Sequence, residues 1–322
     1  MSPPASAPRA IAWLAGRWGS PDALAIPLND RGLLLADGLF ETVLVEAGQP
    51  RLLAEHLERW QQAAALLAMA PPPGRAALEP LIHEAVARAG MGASSAALRL
   101  NWSRGSGGAN SRGVDLPAPG DPPLEHRFWL QLTPTQPAFQ PLTAITSRQE
   151  RRNADSLLSR CKSFAYGPAI QARHEARRAG ADDALLLSTT SELCCATAAN
   201  LLVRRAGRWL TPPLSSGCLP GIMRRRALEL GLAEEARIEP ASLHIPAGGT
   251  DPASGTGQPS STHQNSNTGL PSRTPPPGDP DPFDGAMLLL NSLGCRPLTA
   301  LDGQPVPLWP DPEGLWRSLL TG

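Results

Sequence analysis

Between about Pro246 and Pro282 the chain is built from Gly, Pro, Ser, Thr, Asn and Asp with almost no apolar side chain. Such a stretch cannot offset its ordering entropy by burial, so it is expected to be a disordered insertion. No sustained PxxP repeat marks it as a proline-rich recognition tail. Any core must come from the residues before it and be completed by a short return. The stretch Ala286-Met287-Leu288-Leu289-Leu290-Asn291-Ser292-Leu293-Gly294, where the core resumes, supplies that return.

With 322 residues and 34.0 kDa, the chain has room for about two domains. The segment Pro134 to Pro141 reads as the linker between an N-terminal domain over residues 11–135 and a C-terminal domain over 136–322 that carries the insertion at about 246–282. Residues 1–10 are rich in Pro, Ser and Ala and are expected to be disordered. Charges balance at 29 basic against 29 acidic, which implies neither a nucleic-acid nor an acidic-membrane partner. The five cysteines are odd in number and lack paired CxxC spacing, so no disulfide framework and no metal site are expected, and a reducing cytoplasm fits. Without an apolar N-terminal core of signal-peptide length or a run of about 18 apolar residues, the expectation is a soluble protein.

Hydrophobic period places the elements. The turn at Asn29-Asp30-Arg31-Gly32 precedes an apolar Leu33-Leu34-Leu35 run and a strand around Phe40–Val45. Leu53, Leu57, Trp60, Ala63, Ala64 and Leu67 recur at helical spacing, so 52–69 is expected to be an amphipathic helix, ended by Pro71-Pro72-Pro73-Gly74. A second helix over about 77–89 leads to a strand at Ala97–Trp102, the glycine-rich turn Ser103-Arg104-Gly105-Ser106-Gly107-Gly108, a loop over 111–124 and a strand at Phe128–Leu132. In the second half, a strand at Leu142–Thr146 and an Arg-rich loop precede a helix from about Pro168 to Ala179. Short strands at 183–187, 198–203 and 209–212 suggest a barrel-like sheet, and the stretch 217–224 opens a helix that runs to about Leu230. The fold class is α+β, with a smaller N-terminal α/β domain and a larger barrel-like C-terminal domain.

Lys162 is the only lysine and Tyr166 the only tyrosine in the chain; every other basic side chain apart from histidine is arginine. Arginine stays protonated, whereas a lysine starts near ~10.4 and can be lowered by burial or neighbouring charge until its amine attacks a carbonyl carbon. The same singularity arises if an Arg-rich composition has left one surface lysine behind, so the neighbours must decide.

Those neighbours resemble the fold-type IV, or class IV, pyridoxal-phosphate enzymes. The landmarks are Asp37-Gly38-Leu39-Phe40-Glu41-Thr42, His56-Leu57-Glu58-Arg59, Lys162, Ala198-Ala199-Asn200-Leu201, Thr211-Pro212-Pro213, Leu219-Pro220-Gly221-Ile222-Met223-Arg224 and Asn291-Ser292-Leu293, in that order. Within the class, Ser103–Gly108 and the absence of a Gly-Gly pair after Lys162 look most like aminodeoxychorismate lyase. Branched-chain or D-amino-acid aminotransferase is the alternative, and a catalytically silent binding protein acting through the Pro-rich stretch the reading of another class.

The resemblance implies a pyridoxal 5'-phosphate cofactor, a small-molecule substrate and a homodimer. It implies Lys162 as the Schiff-base lysine and general base, with the cofactor phosphate held by Arg59, by the backbone N–H groups of Ile222 and Met223 at a helix start, and by Ser292. Arg59 is otherwise a helix charge paired with Glu55 at i−4. Tyr166 serves either the cofactor's ring oxygen or ordinary packing, and Arg104 either a substrate carboxylate or solvent. Where the family carries a glutamate for the pyridine nitrogen this chain has Cys195, a weaker partner that favours lyase over aminotransferase, with Glu192 three residues earlier reaching the position only if the turn is rearranged.

Overall fold

The computed structural model of the chain describes residues 9–106, 114–117, 124–243 and 284–321. The expected insertion at 246–282, residues 1–8 of the expected disordered N-terminus, and Gly107 and Gly108 lie outside the described residues. Two sheets organise the rest. The first half contains β1 (Ile11–Leu14), β2 (Arg17–Gly19), α1 (Arg31–Leu35), β3 (Gly38–Glu46), β4 (Gln49–Pro50), α2 (Leu53–Leu66), α3 (Arg75–Ala89), β5 (Ser95–Ser106) and β6 (Glu125–Pro134). Its six strands run β2-β1-β6-β5-β3-β4, each pair antiparallel.

The two-residue period of a strand decides what each face of this sheet holds. Leu39, Val43 and Val45 of β3 and Leu98 and Leu100 of β5 share one buried cluster with Leu57 and Trp60 of α2 and Ile82 of α3. Glu41 belongs by alternation to that same helix-covered face, an acid among apolar neighbours. Phe40, Thr42 and Arg99 fall on the opposite face, with Thr42 directly across from Arg99 in the ladder. That face looks toward the second sheet.

The second half contains β7 (Leu142–Arg152), α4 (Gly167–Arg178), β8 (Asp183–Ser188), β9 (Leu193–Ala196), β10 (Asn200–Arg205), β11 (Arg208–Thr211), α5 (Ile222–Glu229), β12 (Ala233–Glu235), β13 (Met287–Asn291), β14 (Gly294–Leu301), β15 (Gln304–Pro305) and α6 (Pro312–Thr321). The order is β12-β11-β10-β13-β14-β7-β8-β9, with β15 on β14, and β9 also pairs β10. The path β10-β13-β14-β7-β8-β9 thereby closes on itself, and the closing rung is the single pair Asn200↔Cys195. The return after the insertion is central to this sheet: β13 lies between β10 and β14, burying Met287–Leu290.

Several sequence expectations shift. The strand expected at 142–146 continues to Arg152, and β5 runs through the expected glycine-rich turn to Ser106. Gly105 makes this passage possible: at φ +82°, with a Cβ position only 1.6 Å from the Glu125 carbonyl oxygen, only glycine fits the irregular register there. The leucine run 33–35 is a short helix whose start is capped by the Asp30 side chain accepting from Gly32 N–H, and all three leucines are exposed. Its helicity therefore comes from the cap and not from a buried stripe. No described helix is long and apolar enough to cross a membrane.

Candidate active site

Lys162 sits on an irregular segment that zips onto the start of β3. Phe40 N–H donates to the Lys162 carbonyl at 2.9 Å, and Phe164 N–H donates to the Gly38 carbonyl at 2.9 Å. A Cβ at Gly38 would lie 2.3 Å from the Phe164 ring, so the missing side chain lets the segment approach. The segment joins the two sheets and aims one side chain between them. Lys162 is partly buried; its Nζ donates to the Tyr166 hydroxyl at 3.1 Å and lies 4.5 Å from the centre of the Phe40 ring.

The space it enters is a cavity of about 460 Å³. Its lining includes Arg59, Lys162, Tyr166, Cys195, Ile222, Met223 and Ser292, which the fold brings together from α2, the Lys162 segment, β9, α5 and the β13–β14 turn. Arg104 is not among the lining residues. Its Nε donates to Asp37, and its two terminal nitrogens donate to the carbonyls of Ala68 and Leu67 at 3.0 and 2.9 Å. Buried and engaged at all three nitrogens, it ties β5 to the end of α2, and neither the solvated loop nor a substrate contact describes it. Glu192 also stays outside the lining, buried just before β9 with Oε1 unpartnered among the described residues, whereas Cys195 and Ala196 of β9 belong to the lining.

Arg59 is held from behind. Its Nε and Nη2 donate to the two carboxylate oxygens of Glu41, and its Nη1 donates to the Pro220 carbonyl at 3.0 Å. This replaces the expected pair with Glu55: Arg59 projects from the buried face of α2, where the acid on β3 is the one within reach. His56, one turn earlier, places Nδ1 2.7 Å from Glu41 Oε2, and its Nε2 lies 3.3 Å from Ser292 Oγ. Burial alone would raise the Glu41 pKa, but Arg59 and His56 together hold it down at about 2. Burial pulls the His56 imidazole below its ordinary value, with Glu41 opposing.

The turn Leu219-Pro220-Gly221 leads into α5, and no side chain caps that helix. The first N–H groups, those of Ile222 and Met223, are therefore free of a capping side chain and carry the positive end of the helix dipole toward the lining. Asn200 Nδ2 donates to the Leu219 carbonyl at 2.9 Å, so the turn is pinned by Asn200 on one side and Arg59 on the other. A Cβ at Gly221 would lie 1.9 Å from Asn200 Oδ1. Gly221→Ala is thus expected to push Asn200 off the turn and lower unfolding free energy by ~1–3 kcal/mol, measured by urea denaturation. An unchanged midpoint would show that the turn yields freely.

Arg99 carries no motif, yet it lines the same cavity. Its guanidinium carbon stacks 3.6 Å from the Phe40 ring centre and its Nε donates to Asn101 Oδ1 at 2.8 Å. Burial lowers its pKa, with Tyr166 opposing. Together with Arg59, Arg151, Arg152 and Lys162 it makes a lining of five basic side chains in which no Asp or Glu takes part among the described residues. The available signal in the sequence was an arginine alternating with buried leucines in β5, on the face away from the helices.

The family model described as amino-transferase class IV matches residues 38–246. A protein of Methanocaldococcus jannaschii named "Putative branched-chain-amino-acid aminotransferase" is 28% identical over 236 residues, 72% of this chain and 79% of the relative. One of Schizosaccharomyces pombe named "Putative aminodeoxychorismate lyase" is 29% identical over 201 residues, 61% of this chain and 75% of the relative. Among solved structures, the pyridoxal-phosphate-bound form of a hypothetical aminotransferase from Mycobacterium tuberculosis superposes with a TM-score of 0.70 at 20% identity, over 97% of this chain and 99% of that one.

Proposed function

The chain belongs to the amino-transferase class IV family, and from that premise we propose that it is an aminodeoxychorismate lyase, taking 4-amino-4-deoxychorismate to 4-aminobenzoate and pyruvate with pyridoxal 5'-phosphate as cofactor. The donor set fits that cofactor. Arg59, the uncapped N–H groups of Ile222 and Met223, and Ser292 converge on one end of the cavity, as a phosphate requires, and Lys162 faces them with the one amine able to bond to an aldehyde carbon. When bound, pyridoxal phosphate supplies that aldehyde and an electron-withdrawing ring that stabilises negative charge on the substrate.

The chain's own residues do the rest. Lys162 Nζ accepts the substrate's ring proton as general base. The Tyr166 hydroxyl at 3.1 Å orients the amine, and the Phe40 face at 4.5 Å favours it once it is charged. The observation that carries the lyase reading is the lining with five basic side chains and no carboxylate. The two products each carry a carboxylate, so their common precursor carries two, and Arg99, Arg151 and Arg152 remain to receive them once Arg59 is assigned to phosphate and Lys162 to the amine role. A branched-chain amino acid has one carboxylate, which leaves the other lining arginines without a partner. The same absence leaves the cofactor's ring nitrogen without an acid among the lining residues and Cys195 in its place. Loss of a proton that ends in an aromatic product tolerates this weaker electron sink better than amino-group transfer does.

Leu33 and Leu34 on α1, and Leu157 and Leu158 near the cavity rim, are exposed apolar side chains that a second copy would cover, so the reading includes a homodimer. The test of function is a pyruvate-detecting assay on 4-amino-4-deoxychorismate beside an amino-acid/2-oxo-acid exchange assay. Faster exchange than pyruvate release would replace the lyase with an aminotransferase. Arg99→Met is expected to raise KM for the dicarboxylate about 10- to 100-fold with kcat little changed, the equivalent of one charged hydrogen bond of ~1.5–3 kcal/mol. An unchanged KM would remove Arg99 from the substrate site.

A further inference from the structure

His56 lies behind the cavity wall and touches both halves of the phosphate grip, and the role assigned to it rests on that grip being the cofactor site. Its Nδ1 is 2.7 Å from Glu41 Oε2, the same carboxylate that holds Arg59, and its Nε2 is 3.3 Å from Ser292 Oγ. Hydrogen counting shows what is missing. An ionised Glu41 only accepts, so Nδ1 carries a hydrogen. In the neutral ring Nε2 then only accepts, and the single hydroxyl hydrogen of Ser292 must point to it. A phosphate dianion also only accepts. The imidazole and the phosphate therefore compete for one hydrogen on Ser292.

A second hydrogen on the ring removes the conflict. With Nε2 protonated, Nε2–H donates to Ser292 Oγ, and the hydroxyl hydrogen is released toward the phosphate. Charge balance favours the change only when the ligand is bound. The charged groups facing the ring are Glu41 from β3, Arg59 from its own helix α2, and Lys162 from the segment before α4; Ser292 faces it from the β13–β14 turn. Without a ligand, Glu41 cancels Arg59, and burial, Arg59 and Lys162 oppose a further positive charge. Two negative charges brought to Arg59 reverse that balance.

We propose that His56 is a proton-accepting positioning residue: phosphate binding draws one proton from solvent onto His56 Nε2, so that the Ser292 hydroxyl, which donates to the neutral ring, accepts from the protonated one and donates to the phosphate. The proton returns to solvent when the cofactor leaves. Because binding consumes a proton, cofactor affinity contributed by this device falls as pH rises.

The test is calorimetric titration of the full-length apoprotein with pyridoxal 5'-phosphate near pH ~7.5, in two phosphate-free buffers of different ionisation enthalpy that carry no primary amine. Wild type and His56→Gln are compared, so the cofactor's own titrations cancel. Wild type is expected to take up about one proton more than the variant. Equal proton counts would overturn the proposal while leaving the cofactor site standing, whereas absence of binding to wild type would overturn the phosphate grip and the role of His56 with it. His56 is buried, so a readout on wild type alone guards against a misfolded variant. The Nε2 nitrogen resonance of His56 is expected to move from the unprotonated to the protonated range on adding the cofactor, and a resonance that stays in place overturns the proposal.

Discussion

Lys162→Ala is expected to lower turnover by ~10⁴-fold or more, because under the proposed function the change removes both the proton acceptor and the covalent attachment point. The loss should come with little loss of fold. The Lys162 side chain makes one described hydrogen bond, to Tyr166, while its backbone keeps the contact with Phe40 that joins the sheets. Stability should therefore fall by only ~1 kcal/mol. Borohydride treatment of the holoprotein gives the decisive comparison: wild type should retain the cofactor covalently after denaturation, and the variant should not. Covalent retention in the variant would mean that another nucleophile does this work, and the catalytic assignment would fall.

Replacing Glu41 with glutamine is expected to be the most destabilising single change at the site. Glu41 and Arg59 are 1% and 7% exposed, and the neutral amide leaves a buried guanidinium without its counter-ion. Breaking a buried pair from one side costs ~3–5 kcal/mol. The effect has a distinct pH dependence. The folded-state pKa of about 2 lies below the ordinary 4.5, so the ionised carboxylate contributes ~3 kcal/mol that is fully present above the unfolded value and is lost as pH falls through the folded one. Urea midpoints of wild type and Glu41→Gln should therefore differ by a constant amount above about pH 5 and converge between roughly 4.5 and 2. A gap that persists unchanged to acid would mean that Glu41 acts through packing and not through charge.

What the sequence disclosed and what it withheld divide along physical lines. Lys162 and Tyr166 stood out by being single, and their four-residue spacing suffices for the 3.1 Å contact without knowledge of the rest of the chain. The amphipathic helix α2 was legible because one face is buried against a sheet, which imposes its period on the sequence. Arg59 was legible as a residue that lines the cavity, but its partner was not. The sequence offers Glu55 at i−4, whereas the fold supplies Glu41 from a strand 18 residues away, and only strand alternation hints that Glu41 faces inward. A buried acid in an apolar strand needs a counter-charge, and that requirement was the unused clue.

Arg104 misled for the converse reason. A glycine-rich sequence resembles a loop, but here the glycine serves a strand irregularity, and its arginine is engaged by Asp37 and two carbonyls. The short strand β9 went unseen because four buried residues, Leu193-Cys194-Cys195-Ala196, show no alternation from which a strand is read. The polar continuation of β7 to Arg152 was hidden likewise: Arg151 is exposed and Arg152 half-buried at the edge of the cavity, so hydropathy assigns them to solvent.

The closed sheet of the C-terminal half has a seam one rung wide, and that rung is Cys195 against Asn200. Every other junction around the ring is a ladder of several residues; this one is a clasp. Asn200 also fastens the Leu219–Gly221 turn through its side-chain amide, so the residue whose backbone shuts the barrel is the one that shapes this end of the cavity. A ligand in that cavity would therefore lie where the staves are least firmly joined, and filling the space would brace the join.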